Sequence, residues 1–587
     1  MKRLYSGRII ILSCVIVLVG VGVVARLFFI QIREYEFYRK LAQDQHSISQ
    51  ELAPDRGDIF LQDRSKGGAA ASLRDLSPVA VTKKGFFAYA VPRNVPRERI
   101  EEISGFIAQA LGMDAAVVAQ RLNKRADPYE PLKARLSDAE AAQLTAKSFP
   151  GIELGDESWR YYSDGHLVEP LLGFVGIASD GTVPRGLYGI ERQYDNAEGL
   201  AGEAGFRGGE RDALGAWIPF RIEEDKPSKD GSDLVLTIDG NIQFTARTIL
   251  RRTLAQWSSD AGTVIVMEPA TGKVLAMVSE PSYDPNRYGD VEDISVFLNS
   301  TIEKTFEPGS VFKPVTMAAA LNEALVTPQT TYTDDGLVRI GGYTIRNFDD
   351  KAYGVRTMAE VIELSLNTGV VYVERLLGRE RFTSYVEAFG FGAVTGVDLP
   401  GELKGSTANL RQKAEINFAT ASFGQGISVT ALQMTNAIAA IANDGVLMRP
   451  YVVEKIIRAD GSAETIEPSI VRRVITPEAS RQMTQMLVSA VRGKFEKRAG
   501  VDGYFVAGKT GTAQIPDPNG GGYLPVDEGV IHTFVGYAPA YAPRFVAFIK
   551  MDKPIGVRFA ANSLTPAFHD LAVYLLNYFN VPPDESR

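Results

Sequence analysis

Thr263-Val264-Ile265-Val266-Met267-Glu268-Pro269-Ala270-Thr271-Gly272-Lys273-Val274-Leu275-Ala276-Met277-Val278 reads as two β-rich runs around a Pro/Gly turn. Proline and glycine set the turn, and the aliphatic residues on either side suit buried strands, so the stretch predicts a hairpin. Upstream, Leu234–Ile238 is strand-like. Asn241–Gln256 then places Ile242, Ala246, Ile249, Leu250 and Leu254 on one side at helical spacing. Downstream, residues 310–450 carry mainly helical patterns, and strand patterns return at Tyr504–Ala507, Thr533–Tyr537 and Arg544–Lys550. Strands at both ends of a helical middle predict an α+β domain, with a central antiparallel sheet closed by its two termini and flanked by helices.

The first 230 residues give mixed signals. Arg99–Leu111 and Asp138–Lys147 read as helices, and Arg33–Gln50 as a helix leaving an apolar segment. Ile9 to Ala25 contains no charged residue, and Leu27–Ile30 resumes the apolar run after Arg26. With Arg26 snorkelling to the interface the run reaches the roughly 20 residues that a bilayer requires. Apolar residues on every face favour a membrane anchor over a buried core helix. A cleaved signal peptide with Lys2, Arg3 and Arg8 as its charged end is the other alternative. Basic residues flank the run on both sides, so charge does not orient it; a short N-terminal tail and a large C-terminal body suggest a bitopic protein with its body outside the cytoplasm. Asp225–Gly231 is charged and turn-rich. The expected division is a cytoplasmic tail 1–8, a transmembrane helix 9–30, a first domain 31–230, a second domain 231–575 and a tail 576–587.

Composition narrows the function. The 587 residues predict three or more units, and 45% apolar with 23% charged content is that of a folded chain. The net charge is −8 and no long Lys/Arg block is present, which argues against nucleic acid as a partner. Cys14 is the sole cysteine, so no intrachain disulfide can form. His46, His166, His532 and His569 are not at metal-ligand spacing, and neither a metal nor another cofactor is expected.

Three short motifs follow in order: Ser310-Val311-Phe312-Lys313 (S-x-x-K), Ser365-Leu366-Asn367 (S-x-N) and Lys509-Thr510-Gly511-Thr512 (K-T-G-T). Singly the first two are weak, and in isolation a helix cap beside a solvated lysine is the better reading of Ser310 and Lys313. Together, in this order, they are a strong signal. A serine hydroxyl needs a base within hydrogen-bond reach to become a nucleophile. Ser310 and Lys313 share a helical face, and Pro314 predicts a helix start or bend there. Burial and the Lys509 cation would lower the Lys313 pKa enough for it to serve as that base. Ser365 can relay a proton and Asn367 can hold a substrate amide. A strand bearing Lys509 to Thr512 can pair with an extended peptide and meet a terminal carboxylate, and the backbone N–H groups of Ser310 and Thr512 would form an oxyanion hole. Gly503–Thr510 also matches G-x-x-x-x-G-K-[ST], but bulky β-prone residues between the glycines and Gly511 and Pro516 after them argue against a phosphate loop opening a helix.

With these motifs the chain resembles the class B, or monofunctional, penicillin-binding proteins. The resemblance extends over most of the chain. Tyr161-Tyr162, Leu172–Gly176, Gly189–Glu191 and Tyr194-Asp195 look like the family's pedestal. Thr237–Asp239, Ile242-Gln243, Thr271–Met277, Pro281–Asn286, Gly390–Gly392, Thr395–Glu402 and Phe423–Gly426 look like its transpeptidase domain. It implies an elongated α+β pedestal, with Ser310 as the acylated nucleophile, Lys313 as its base and Ser365, Asn367 and Lys509 as catalytic partners. Thr510, Gly511 and Thr512 would bind substrate. The implied reaction is D,D-transpeptidation of peptidoglycan stem peptides ending in D-Ala-D-Ala, with β-lactams acylating the same serine. A polytopic, SEDS-type glycosyltransferase partner and a catalytic domain outside the cytoplasmic membrane are also implied. Thr395–Glu402 fits the division (FtsI-like) branch better than the elongation branch.

Two departures stand out. Arg56-Gly57-Asp58-Ile59-Phe60-Leu61-Gln62-Asp63-Arg64 is two residues longer than the family's R-G-x-I-x-D-R. Val491-Arg492-Gly493-Lys494-Phe495-Glu496-Lys497-Arg498 replaces the acidic, glycine-rich segment before K-T-G. Rival readings are a membrane-anchored β-lactam sensor, whose cytoplasmic output domain the few residues before Ile9 would not supply, and a non-catalytic cell-wall scaffold. A β-lactamase fits less well beside the anchor and pedestal.

Overall fold

The computed structural model describes residues 2–34, 47–64, 76–163, 168–177, 184–211, 217–218, 225–517, 520, 522–525 and 529–584. The chain forms two compact units, Met1–Asp55 with Gly202–Gly231, and Arg56–Ala201 with Ser232–Arg587.

In the first unit, helix α1 (Lys2–Phe28) passes into a π-helical turn at Phe29–Arg33. Within Ile10–Arg33 the most apolar 18-residue window has a mean hydropathy of 2.7 and none of it is buried, so the helix is long and apolar enough to cross a membrane and is not a core helix. The helix expected over Arg33–Gln50 is not continuous. Residues 35–46 lie outside the described residues, and Ser47–Leu52 is a strand antiparallel to Gly205–Arg211. Ser47-Ile48-Ser49-Gln50 lacks a helical apolar stripe, and the ladder supplies its backbone with partners. Asp225–Lys226, inside the segment read as a boundary, adds to the same sheet.

Among the described residues, the second unit holds two large sheets and five two-stranded ones. Strands β1 (Ile59–Gln62), β2 (Ser77–Ala90), β3 (Glu130–Leu136), β4 (Ile152–Tyr162) and β5 (Asp233–Asp239) join two later strands, given below, in a seven-stranded sheet. The parallel β1–β5 pair runs across the expected 230/231 boundary. Gly57 permits that approach, because a Cβ there would lie 2.0 Å from the Ser232 carbonyl oxygen. Arg56 is bound by Glu191 (2.7 Å) and Asp195 (2.5 Å). Burial opposes ionisation of Glu191, yet the Arg160 and Arg56 guanidiniums hold its pKa below the ordinary value. The longer stretch after Ile59 is strand through Gln62, and Asp63 then accepts from Asn241 Nδ2 at 3.0 Å.

The hairpin predicted at Thr263–Val278 is β6 (Ala261–Met267) and β7 (Val274–Glu280). Strands β8 (Val453–Ile457) and β9 (Ala463–Thr465) complete the seven-stranded sheet in the order β9-β8-β5-β1-β2-β3, with β4 beside β2. Strands β10 (Ala507–Gln514), β11 (Val530–Ala538) and β12 (Phe545–Asp552) complete an antiparallel five-stranded sheet ordered β7-β6-β12-β11-β10. Tyr504 to Ala507, expected as strand, contributes only Ala507 to β10.

Both faces of this sheet are buried, which is why its strands read as continuous apolar runs. Val264, Val266, Phe534 and Ala547 face α2 (Gly240–Gln256) and a C-terminal helix, α7 (Ala560–Tyr578), which runs past the expected tail boundary at 576. Ile265, Met267, Val535 and Phe548 join the cluster of the helical middle. That middle contains α3 (Lys313–Asn322), α4 (Asn367–Leu377), α5 (Ala431–Ala442) and α6 (Pro477–Arg492). It is less uniformly helical than its pattern suggests, because Thr331–Asp334 pairs with Gly354–Thr357, and Leu337–Ile340 with Tyr343–Arg346.

Candidate active site

Ser310 lies in a 3₁₀ turn, Gly309–Phe312, that runs directly into α3. Pro314 falls in the first turn of α3, where a missing N–H leaves no helical bond unmade. Residues Lys313 to Leu321 are all buried, so α3 is a rigid central mount. Ser310 is half-buried at its entrance, where the N-terminal end of the helix dipole favours developing negative charge.

Lys313 is fully buried. Its Nζ donates to the Ser365 carbonyl oxygen at 2.5 Å and to Ser365 Oγ at 3.2 Å. Burial, reinforced by the Lys509 cation and opposed by Glu496, pushes the Lys313 pKa well below the ordinary lysine range. The first two motifs therefore meet through Lys313 and Ser365. Ser365 has a left-handed backbone, φ 55°, which costs a non-glycine residue free energy and marks a position fixed by its surroundings.

Asn367 opens α4, and its Nδ2 donates to the Arg346 carbonyl at 2.8 Å. Next to it, Thr368 Oγ1 donates to the buried Asp334 at 2.6 Å. Asp334 also accepts from Asn347 Nδ2 (2.9 Å) and the Tyr353 N–H (2.9 Å). Sequence reading missed this network, since neither Asp334 nor Asn347 stands in a motif. It ties the S-x-N segment to the paired strands before it.

The third motif lies on β10, the edge strand of the five-stranded sheet. Lys509 is 1% exposed, whereas Thr510 and Thr512 are half-buried. Lys509 Nζ forms an ion pair with Glu496 Oε1 at 2.6 Å. The same oxygen accepts from the Thr510 N–H (2.9 Å) and Thr510 Oγ1 (2.7 Å). Thr512 Oγ1 accepts from the Ala560 N–H at 3.1 Å, leaving its own proton free to be donated. A Cβ on Gly511 would lie 2.4 Å from Thr533 Oγ1 and 3.0 Å from the Pro308 carbonyl, so glycine lets β10 abut the turn bearing Ser310. Glu496 was also missed. A lone acid among Arg492, Lys494, Lys497 and Arg498 was a signal for it, but sequence spacing does not reveal its partner.

The site thus sets half-buried hydroxyls and an amide over two buried amines, beside an edge strand open to pairing. Residues 262–572 match the Penicillin binding protein transpeptidase domain, and residues 54–236 match the Penicillin-binding Protein dimerisation domain. The chain belongs to the class B penicillin-binding proteins. It is of the FtsI type. Stage V sporulation protein D of Bacillus subtilis is 32% identical, over 96% of this chain and 84% of its own. Peptidoglycan D,D-transpeptidase FtsI of Escherichia coli K12 is 29% identical, over 81% and 77%. The structure of penicillin-binding protein 3 of Mycobacterium tuberculosis complexed with aztreonam superposes with a TM-score of 0.67 and 27% identity, covering 91% of this chain and 98% of that one.

In this penicillin-binding protein Gly508, Lys509 and Thr510 lie within β10, so the overlapping phosphate-loop pattern has no helix to open.

Proposed function

We propose that the chain is a peptidoglycan D,D-transpeptidase in which Ser310 is the nucleophile and Lys313 its base. The observation that carries this is the buried Lys313 amine, held against Ser365 one helical turn from Ser310. A neutral Lys313 takes the Ser310 hydroxyl proton as Oγ attacks the carbonyl of the penultimate D-Ala. The N–H groups of Ser310 and Thr512 receive the oxyanion. The peptide C–N bond breaks, and terminal D-Ala leaves with a proton relayed through Ser365. An amine of a second stem peptide then attacks the acyl ester, gives up its proton and restores Ser310. The donor peptide pairs with β10, its amide meets Asn367, and its carboxylate meets the Thr512 hydroxyl, while Thr510 beside Lys509 gives its hydroxyl proton to Glu496. A β-lactam stops at the acyl ester.

The same reading puts α1 across the cytoplasmic membrane as a single pass, with the N terminus inside, the catalytic unit outside and a SEDS-type glycosyltransferase as partner in septal wall synthesis. Release of D-Ala from a pentapeptide substrate tests turnover. Release by wild type and not by Ser310→Ala is expected; a well-acylated wild type that releases none would favour a sensor or scaffold.

A further inference from the structure

The segment before β10 delivers a carboxylate to the third motif. Glu496 and Lys509 are 0% and 1% exposed. One oxygen, Oε1, takes three hydrogen bonds: from Lys509 Nζ (2.6 Å), the Thr510 N–H (2.9 Å) and Thr510 Oγ1 (2.7 Å). The other, Oε2, is buried and has no hydrogen-bond partner among the described residues. A buried polar atom left unpaired in a native structure calls for an explanation. Its backbone is anchored on both sides. Phe495 packs edge-on against Phe348 at 5.6 Å, next to the Asn347 that joins the Asp334 network, and the Ala499 N–H donates to the Glu496 carbonyl at 2.8 Å.

We propose that Glu496 is a positioning residue for acylation, fixing Lys509 and Thr510 through one oxygen and balancing the Lys509 charge beside Lys313. The inference rests on the reading of Ser310 and Lys313 given above. Its negative charge opposes the effect that burial and Lys509 have on Lys313. The charges acting on Lys313 are Lys509 from β10 and Glu496 from the segment after α6, and Ser365 faces it with a neutral hydroxyl. Around Glu496, the side chains of Arg492, Lys494, Lys497 and Arg498 are exposed, and Glu363 is bonded by Ser489 Oγ at 3.2 Å.

The test is the second-order rate of acylation by a fluorescent penicillin as a function of pH, on the full chain in detergent, for wild type, Glu496→Gln, Glu496→Ala and Ser310→Ala. Glutamine keeps the shape and removes the charge, so Lys313 becomes easier to deprotonate and the acid limb should move to lower pH. Alanine also removes the anchor, and its plateau rate should fall by about 10²-fold, the scale of a misplaced catalytic group. An unmoved acid limb in Glu496→Gln overturns the inference. So does a Glu496→Ala plateau equal to wild type, or a Glu496→Gln protein that fails to fold, which would assign Glu496 to stability alone. Labelling of Ser310→Ala would instead remove the parent reading.

Discussion

The Lys313 Nζ lies 2.5 Å from the carbonyl oxygen and 3.2 Å from the hydroxyl of Ser365. The carbonyl bond fixes the amine in place whatever its charge, and the hydroxyl bond leaves a route for a proton out of the buried site. Lys313 and Ser365 therefore act as one unit, and disturbance of either should be read through both.

Lys313→Met removes the base while preserving most of the side-chain volume. Acylation by penicillin should slow by about 10²–10⁴-fold, the usual worth of a positioned base. The melting temperature at neutral pH should change little, because the lost hydrogen bonds and the removed cost of burying a polar amine oppose each other. Acylation kinetics and calorimetry on the same preparation check both halves.

The lowered pKa of Lys313 fixes the sign of two pH dependences. Acylation requires the neutral amine, so its rate should rise with pH through the lowered pKa and level off well below the range of an ordinary lysine. Between the folded and unfolded pKa values the unfolded chain binds more protons, so this group's contribution to stability also rises with pH across that window and is lost as pH falls. Rate profiles and melts of wild type beside Lys313→Met should show both trends in wild type alone.

Gly511→Ala places a methyl group against Thr533 Oγ1 and the Pro308 carbonyl. The strand and the Ser310 turn must separate, at a cost of about 1–3 kcal/mol, as in other overpacked sites. Chemical denaturation should register that loss, and acylation should slow because β10 no longer abuts the nucleophile.

Asp334→Asn puts an amide among the donors from Asn347, Tyr353 and Thr368. Unsatisfied buried donors should cost about 1–3 kcal/mol. Penicillin labelling should slow as well, although Asp334 touches no motif residue, because Thr368 adjoins Asn367. Equal acylation rates in a destabilised Asp334→Asn would detach the network from the site.

Much of this was legible in the sequence. The 263–278 hairpin and the helix after Asn241 were, because apolar residues at a fixed period report directly on buried faces. The three motifs were, because their chemistry restricts the residue types. The strand at Ser47–Leu52 was not, since its partner lies more than 150 residues later and its own pattern is weak. Asp334, Asn347 and Glu496 were not, for a related reason: each acts through a partner that only the fold brings near. Ser310 and Lys313 were rightly placed at one helix entrance, but the amine is directed to Ser365, a contact that three-residue spacing alone does not specify.

The central claim is that Ser310 carries the acyl group. Intact-mass measurement after incubation with benzylpenicillin, followed by peptide mapping, tests it most directly. One added antibiotic mass is expected, on the peptide containing Ser310, in wild type and not in Ser310→Ala. The same adduct on Ser310→Ala, or on a peptide elsewhere in wild type, would contradict the account.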